Sequence, residues 1–195
     1  MAHRKAPFKS TRAGVQVNLD DQEREILVHL LGQLDQLLDD GRPAAEVDPL
    51  EALVGMRSPS ADGAPPATPE DPALARLLPD GNRDDPEASA EYRRLTEYGL
   101  RSRKREGART AAAALTRPAP VVLTAPEALS LLKAFTDVRL VLGERLELKT
   151  DEDAEALHQR LWAGAEPESW LATASIYEVL TAWQEHLVTA VSKQR

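Results

Sequence analysis

The sequence predicts a mainly α-helical fold of about five to six helices with a small N-terminal β-hairpin. Three observations carry this. Apolar residues recur every three or four positions in several separate stretches, the spacing of one helix face. Helix-start signatures precede those stretches: Asp20 with Glu23, Asp85 with Pro86, Thr124 with Glu127, and Thr150. The apolar content is mostly Leu, Ala and Val with only 4% aromatics, which favours helix packing over a sandwich of strands. A chain of 195 residues can bury a core, and a single domain over 1–195 is the default.

Residues 8–19 read as two short strands. Phe8 to Thr11 leads to Ala13-Gly14, after which Val15, Val17 and Leu19 alternate with polar residues. Asp20 then caps a helix over about 20–39, with Leu27, Leu30, Leu31, Leu34 and Leu38 on one face and Gly41 as its stop. Half of the 14 prolines fall between 43 and 72. A flexible segment is expected at about 56–70, and Leu50–Val54 reads as one short helical turn. Pro72–Leu78 reads as a short helix.

A longer helix should start at Asp85-Pro86 and run through Tyr92 and Leu95 toward Leu115, although Gly99 and Gly107 weaken its continuity. Pro118 and Pro120 break the chain, and Val121–Leu123 reads as a brief strand. Thr124 caps a helix with Ala128, Leu131, Leu132, Phe135, Val138 and Leu142 on one stripe, and Gly143 is expected to kink or end it. Thr150 caps another helix carrying Leu157 and Leu161. Gly164 and Pro167 mark a loop. The last helix, about 169–192, carries Ile176, Val179, Leu180, Trp183, Leu187 and Val191; this stripe reads as core or as the seam of a homodimer.

Charge is unevenly distributed. The net charge is -8, yet half of the 24 basic residues sit in two short pieces. One holds Arg93, Arg94, Arg101, Arg103, Lys104, Arg105, Arg109 and Arg117, with only Glu97 and Glu106 among them. The other is the N-terminus, with Arg4, Lys5, Lys9 and Arg12. On a helix, Arg94, Arg101, Arg105 and Arg109 fall in one stripe about 80° wide, flanked by Arg93 and Lys104. Such a stripe can follow a phosphate backbone or place guanidinium groups against guanine edges. It can equally be a face neutralised by the chain's own acidic excess. The DNA reading names Arg93, Arg94, Arg101, Lys104, Arg105 and Arg109 as the contact residues. The N-terminal cations would be a groove-seeking arm or simply a soluble terminus.

Other constellations point away from catalysis. No cysteine is present, which removes disulfides, thiolate chemistry and thiol redox sensing from this chain. Asp84, Asp85 and Glu87 could hold a divalent metal, but Asp85 and Glu87 suit the start of a helix better. Glu155 and His158 make half of a di-metal helix pattern whose other half is missing. Asp137 and Arg139 on one helix suggest an ion-pair network between helices, structural or interfacial. No nucleotide loop or nucleophilic set is written in the chain, so no enzyme activity, metal or cofactor is expected. No apolar run is long enough to span a bilayer and no signal-peptide core follows the basic start, so a cytoplasmic protein is expected.

Five segments resemble an actinobacterial family known as a domain of unknown function, whose genes tend to lie beside that of the ClpS adaptor. They are Arg76–Asp80, Arg83–Ala88, Arg93–Thr96, Phe135–Gly143 and Tyr177–Val188. The family includes AosR-like oxidative-stress transcription regulators. The resemblance implies a stress-linked regulator that contacts DNA and cooperates with the transcription machinery. It also implies a cysteine-based switch, which this chain has no residue to provide. The competing expectation is a non-enzymatic protein-interaction or adaptor module linked to transcription or proteolysis. No helix-turn-helix is legible: Leu77 to Pro86 is longer than the usual turn.

Overall fold

The computed structural model describes residues 6–40, 68–82 and 84–194. Strand β1 (Phe8–Thr11) and strand β2 (Gly14–Val17) form the expected antiparallel hairpin, with Phe8 opposite Val17 and Thr11 opposite Gly14. Gly14 has φ +137, and a Cβ there would stand 2.2 Å from the carbonyl oxygen of Leu123. Only glycine fits both demands. Strand β3 (Val122–Leu123) adds to β2, pairing Leu123 with Val15, so the hairpin becomes a three-stranded sheet.

Helix α1 (Asp21–Leu37) begins in a capping box between Asp20 and Glu23. It ends at Leu38, before the expected stop at Gly41, which lies outside the described residues. The same is true of the Leu50–Val54 turn and of most of the segment expected at 56–70. Helix α2 (Pro72–Leu77) is capped by Asp71. Helix α3 (Pro86–Leu115) is the longest, 30 residues, with Asp85 accepting hydrogen bonds from the amides of Glu87 and Ala88. It passes through Gly99 and Gly107 without a break, because tertiary packing on one face outweighs the low helix propensity of two glycines.

Helix α4 (Ala125–Arg145) starts in the Thr124–Glu127 capping box. The expected interruption at Gly143 does not occur; the helix continues to Arg145, and the Gly143 carbonyl accepts from the amide of Leu148. Helix α5 (Asp151–Ala163) is capped by Thr150 and ends at Gly164 in the left-handed region. Helix α6 (Glu168–Ser192) closes the chain.

The result is mainly α, six helices and one small sheet among the described residues. Helix α4 is central: it packs on α2, α3 and α6 and touches α1 and the sheet. Phe135 from α4 meets Phe8 of β1 edge to face at 6.1 Å. Leu27, Leu31, Leu34, Leu115, Leu131, Leu180 and Leu187 fill the core between these elements. Most of the last-helix stripe is therefore core. Leu180 and Leu187 are buried, Ile176 and Trp183 pack against the core, and Val179 stays exposed. Helix α5 stands apart on a small cluster of Leu146, Leu157 and Ala174. No helix among the described residues is long and apolar enough to cross a membrane.

The basic helix as a candidate functional site

All six expected DNA-contact residues lie on α3, and each meets a carboxylate of this same chain. Arg93 is 7% exposed and is held between Asp80 and Glu97, with a long bond to the Leu78 carbonyl. Glu97, itself buried, also accepts from Arg101 at 2.8 Å. Arg101 reaches the Leu38 carbonyl at the end of α1. Arg105 bridges Asp35 at 2.8 Å and Asp39 at 2.7 Å, and Arg109 shares Asp35 at 3.0 Å. Lys104 turns the other way and pairs with Asp137 of α4. Arg94 forks onto Glu91, one helical turn earlier.

The arrangement follows from helix geometry. Arg101, Arg105 and Arg109 recur every four residues and so face one neighbour, α1 and the residues just past its end, where Asp35 on the helix and Asp39 beyond it lie four residues apart. Lys104 lies about 100° around the helix and faces α4. Arg105 and Arg109 reach across to the α1 side and Arg93 to Asp80, whereas Arg94 and Arg101 pair with carboxylates of α3 itself. Burial pushes the Arg105 pKa down, but hydrogen bonds and charge from Asp35 and Asp39 outweigh it and leave it raised. The Glu91 hydrogen bonds raise Arg94, and Arg94 in turn holds Glu91 below the usual carboxylate range.

Accessibility separates the cations further. The side chains of Arg94, Arg101, Lys104 and Arg105 are no more than 20% exposed, whereas that of Arg109 is 61% exposed. Arg103 is exposed and makes no ion pair among the described residues. Arg117 is tied to Glu127 and to the carbonyls of Ala114 and Val122. Of the N-terminal cations, Lys9 is exposed on β1 and Arg12 sits in the hairpin turn, while Arg4 and Lys5 lie outside the described residues.

Asp137 and Arg139 do join helices, but to different neighbours. Asp137 binds Lys104 of α3. Arg139 points to α6, donating to Gln184 at 2.8 Å and Tyr177 at 3.3 Å, with its guanidinium 5.2 Å from the Tyr177 ring centre. Gln184 donates onward to Thr136. The segments Phe135–Gly143 and Tyr177–Val188 therefore meet in a polar seam. Arg93–Thr96 meets Arg76–Asp80 in the same way, through Arg93 and Asp80. Arg83, in a further segment, lies outside the described residues.

The remaining candidates resolve into local roles. Asp85 serves as the α3 cap. His158 lies 3.3 Å from Glu178. Among the described residues, no group of three or more His, Asp or Glu is placed to hold a metal ion. Sequence reasoning missed Asp35 and Asp39 as counter-ions. Their spacing at and just past the end of α1, beside Leu34 and Leu38, was the available signal.

Comparison with known proteins covers nearly the whole chain. A relative from Mycobacterium leprae, provisionally named an oxidative stress regulator AosR, is 33% identical over 183 residues, 87% of this chain and 78% of its own length. The oxidative stress regulators AosR of Mycobacterium tuberculosis and Mycobacterium bovis are each 32% identical over 196 residues, 91% of this chain and 82% of theirs. No solved structure matches. The family model described as a domain of unknown function, DUF2017, matches residues 5–191, and the chain belongs to that family.

Proposed function

We propose that this chain is a non-enzymatic, stress-linked transcription regulator that acts in the cytoplasm by contact with another protein of the transcription apparatus. In this reading the basic helix is chiefly a structural element. Relatives named as oxidative stress regulators support the regulatory part. One observation supports protein contact over DNA contact: Arg93, Arg94, Arg101, Lys104, Arg105 and Arg109 are each already bound to a carboxylate of the chain. Binding phosphate would require those pairs to break, and a cation that stays paired with an internal carboxylate neutralises no phosphate and so releases no counterion from DNA. The last-helix stripe is largely spent on the core, which disfavours it as a homodimer seam. With no cysteine, the stress signal reaches this chain through a partner or another group.

The DNA reading keeps one specific support. Arg103 and Arg109 remain exposed on the same helix. Fluorescence anisotropy with promoter fragments at several salt concentrations separates the two. Protein contact predicts no binding at low salt, together with co-elution of the chain with purified RNA polymerase holoenzyme. Salt-dependent DNA binding whose log–log slope falls by roughly 0.9 per residue removed in an Arg103→Ala, Arg109→Ala variant would reverse the preference.

A further inference from the structure

We propose that the groove between α3 and α4 is a docking site for a partner segment that is apolar and carries spaced carboxylates. This rests on the protein-contact reading above. The groove encloses about 640 Å³, within the range of sites that hold a ligand or a few side chains. Leu100 and Gly107 of α3 and Ala134 of α4 contribute to its apolar lining.

Two features leave it open to an occupant. The first is Gly107. Glycine weakens a helix relative to alanine, yet a Cβ at Gly107 would meet nothing within 4 Å. No packing demand inside the chain explains the missing side chain. Its absence widens the groove. The second is charge. Arg103 on the α3 wall and Lys133 on the α4 wall are both exposed, and neither has an ion-pair partner among the described residues. Every other cation of α3 has one. Lys104, which also lines the groove, is neutralised by Asp137.

Two free cations on facing walls complement carboxylates carried along an apolar segment. Glu106 sits on the same lining, so an occupant must space its carboxylates to meet Arg103 and Lys133 and avoid Glu106, which the unbroken charge of a phosphate backbone does not do. The groove therefore selects an amphipathic acidic peptide of another protein.

The probe is a synthetic amphipathic peptide of Glu, Leu and Ala, titrated into the ¹⁵N-labelled full chain and followed by amide chemical shifts. A matched peptide with Lys in place of Glu is the control. Shifts should concentrate on the α3 and α4 residues lining the groove, weaken as salt rises, and be absent with the Lys peptide. Arg103→Glu with Lys133→Glu should weaken binding at least about tenfold, a charge-pair loss of ordinary size. Gly107→Leu, which fills the groove, should abolish it, while Gly107→Ala keeps the fold as a control. No shifts with wild type, shifts outside the groove, equal shifts with the Lys peptide, or indifference to salt would each overturn the site. If the charge variants do not fold, the salt dependence and the Lys-peptide comparison on wild type still decide. Concentration-dependent self-association that the Glu peptide does not compete with would also overturn it, by making the occupant a second copy. A silent groove beside positive holoenzyme co-elution removes the groove and leaves protein contact standing elsewhere on the surface.

Discussion

From Pro86 to Arg105, helix α3 meets its neighbours through charge; from Ala108 to Leu115 it meets them through methyl groups. In the first part the buried members are Ser89, Arg93, Glu97 and Gly99. In the second they are Ala108, Ala111, Ala114 and Leu115. The polar part is fastened by directional bonds to Asp80, Asp35, Asp39 and Asp137. The alanine part lets α3 approach its neighbours closely and ends where Arg24 of α1 donates to the carbonyls of Leu115 and Arg117. The difference teaches that a basic run within an acidic protein can be an assembly device. Arg93, Lys104, Arg105 and Arg109 are placed to meet carboxylates of other segments, and a small-residue run does the close packing beside them.

The comparison breaks most severely at Glu97. This one carboxylate is shared by Arg93, which also meets Asp80, and by Arg101, which has no other carboxylate at the seam. Glu97→Ala leaves the largely buried Arg101 guanidinium without a carboxylate and Arg93 with Asp80 alone, and should cost about 3 kcal/mol, read as a lower urea midpoint with an unchanged m-value. The alanine part should fail by a different route. Ala111 is 1% exposed, so Ala111→Leu overpacks the seam and should cost about 1–3 kcal/mol. That loss should not depend on salt, because no charge is involved.

Asp35→Asn probes the partly exposed end of the charged part, where one carboxylate serves Arg105 and Arg109. Its cost should be about 1 kcal/mol or less and should shrink as salt screens the parent's pairs. Thermal melts across a salt series check this, and a larger cost at high salt than at low salt would contradict the electrostatic account. The smallest effect belongs to Glu91. Arg94 depresses its pKa, so its contribution is present above the ordinary carboxylate value of 4.5 and is lost as pH falls through the lower folded value. Because the pair lies on the solvent side, Glu91→Gln should leave the neutral-pH melting temperature unchanged within error and only slightly flatten the acid limb below about pH 4.5.

How much was legible depended on distance along the chain. The caps at Asp20, Asp85, Thr124 and Thr150 were readable because a cap and its acceptor amide are two or three residues apart. The Gly14 turn was readable for the same reason, although the close approach of β3 that makes glycine necessary there was not. Gly99, Gly107 and Gly143 misled, since local propensity counts against glycine while packing on neighbouring helices keeps the helix intact. The polar link between Asp137, Arg139 and other helices was foreseen in kind but not in partner.

By itself the sequence determined where most helices and strands lie, which faces are apolar, and that Arg94, Arg101, Arg105 and Arg109 gather along one side of a helix. Those properties follow from spacings of a few residues, which backbone geometry converts directly into faces and caps. Only the tertiary structure decided what the cations do. Asp35 and Asp39 lie 66 to 74 positions away from Arg105 and Arg109, and no local rule brings them together. Packing α1 and α4 against α3 does, because burying their leucine faces also sets their flanking carboxylates beside the arginine stripe. The same packing leaves Arg103 and Lys133 on the lining of one open groove, a juxtaposition that exists in space and nowhere in the order of residues.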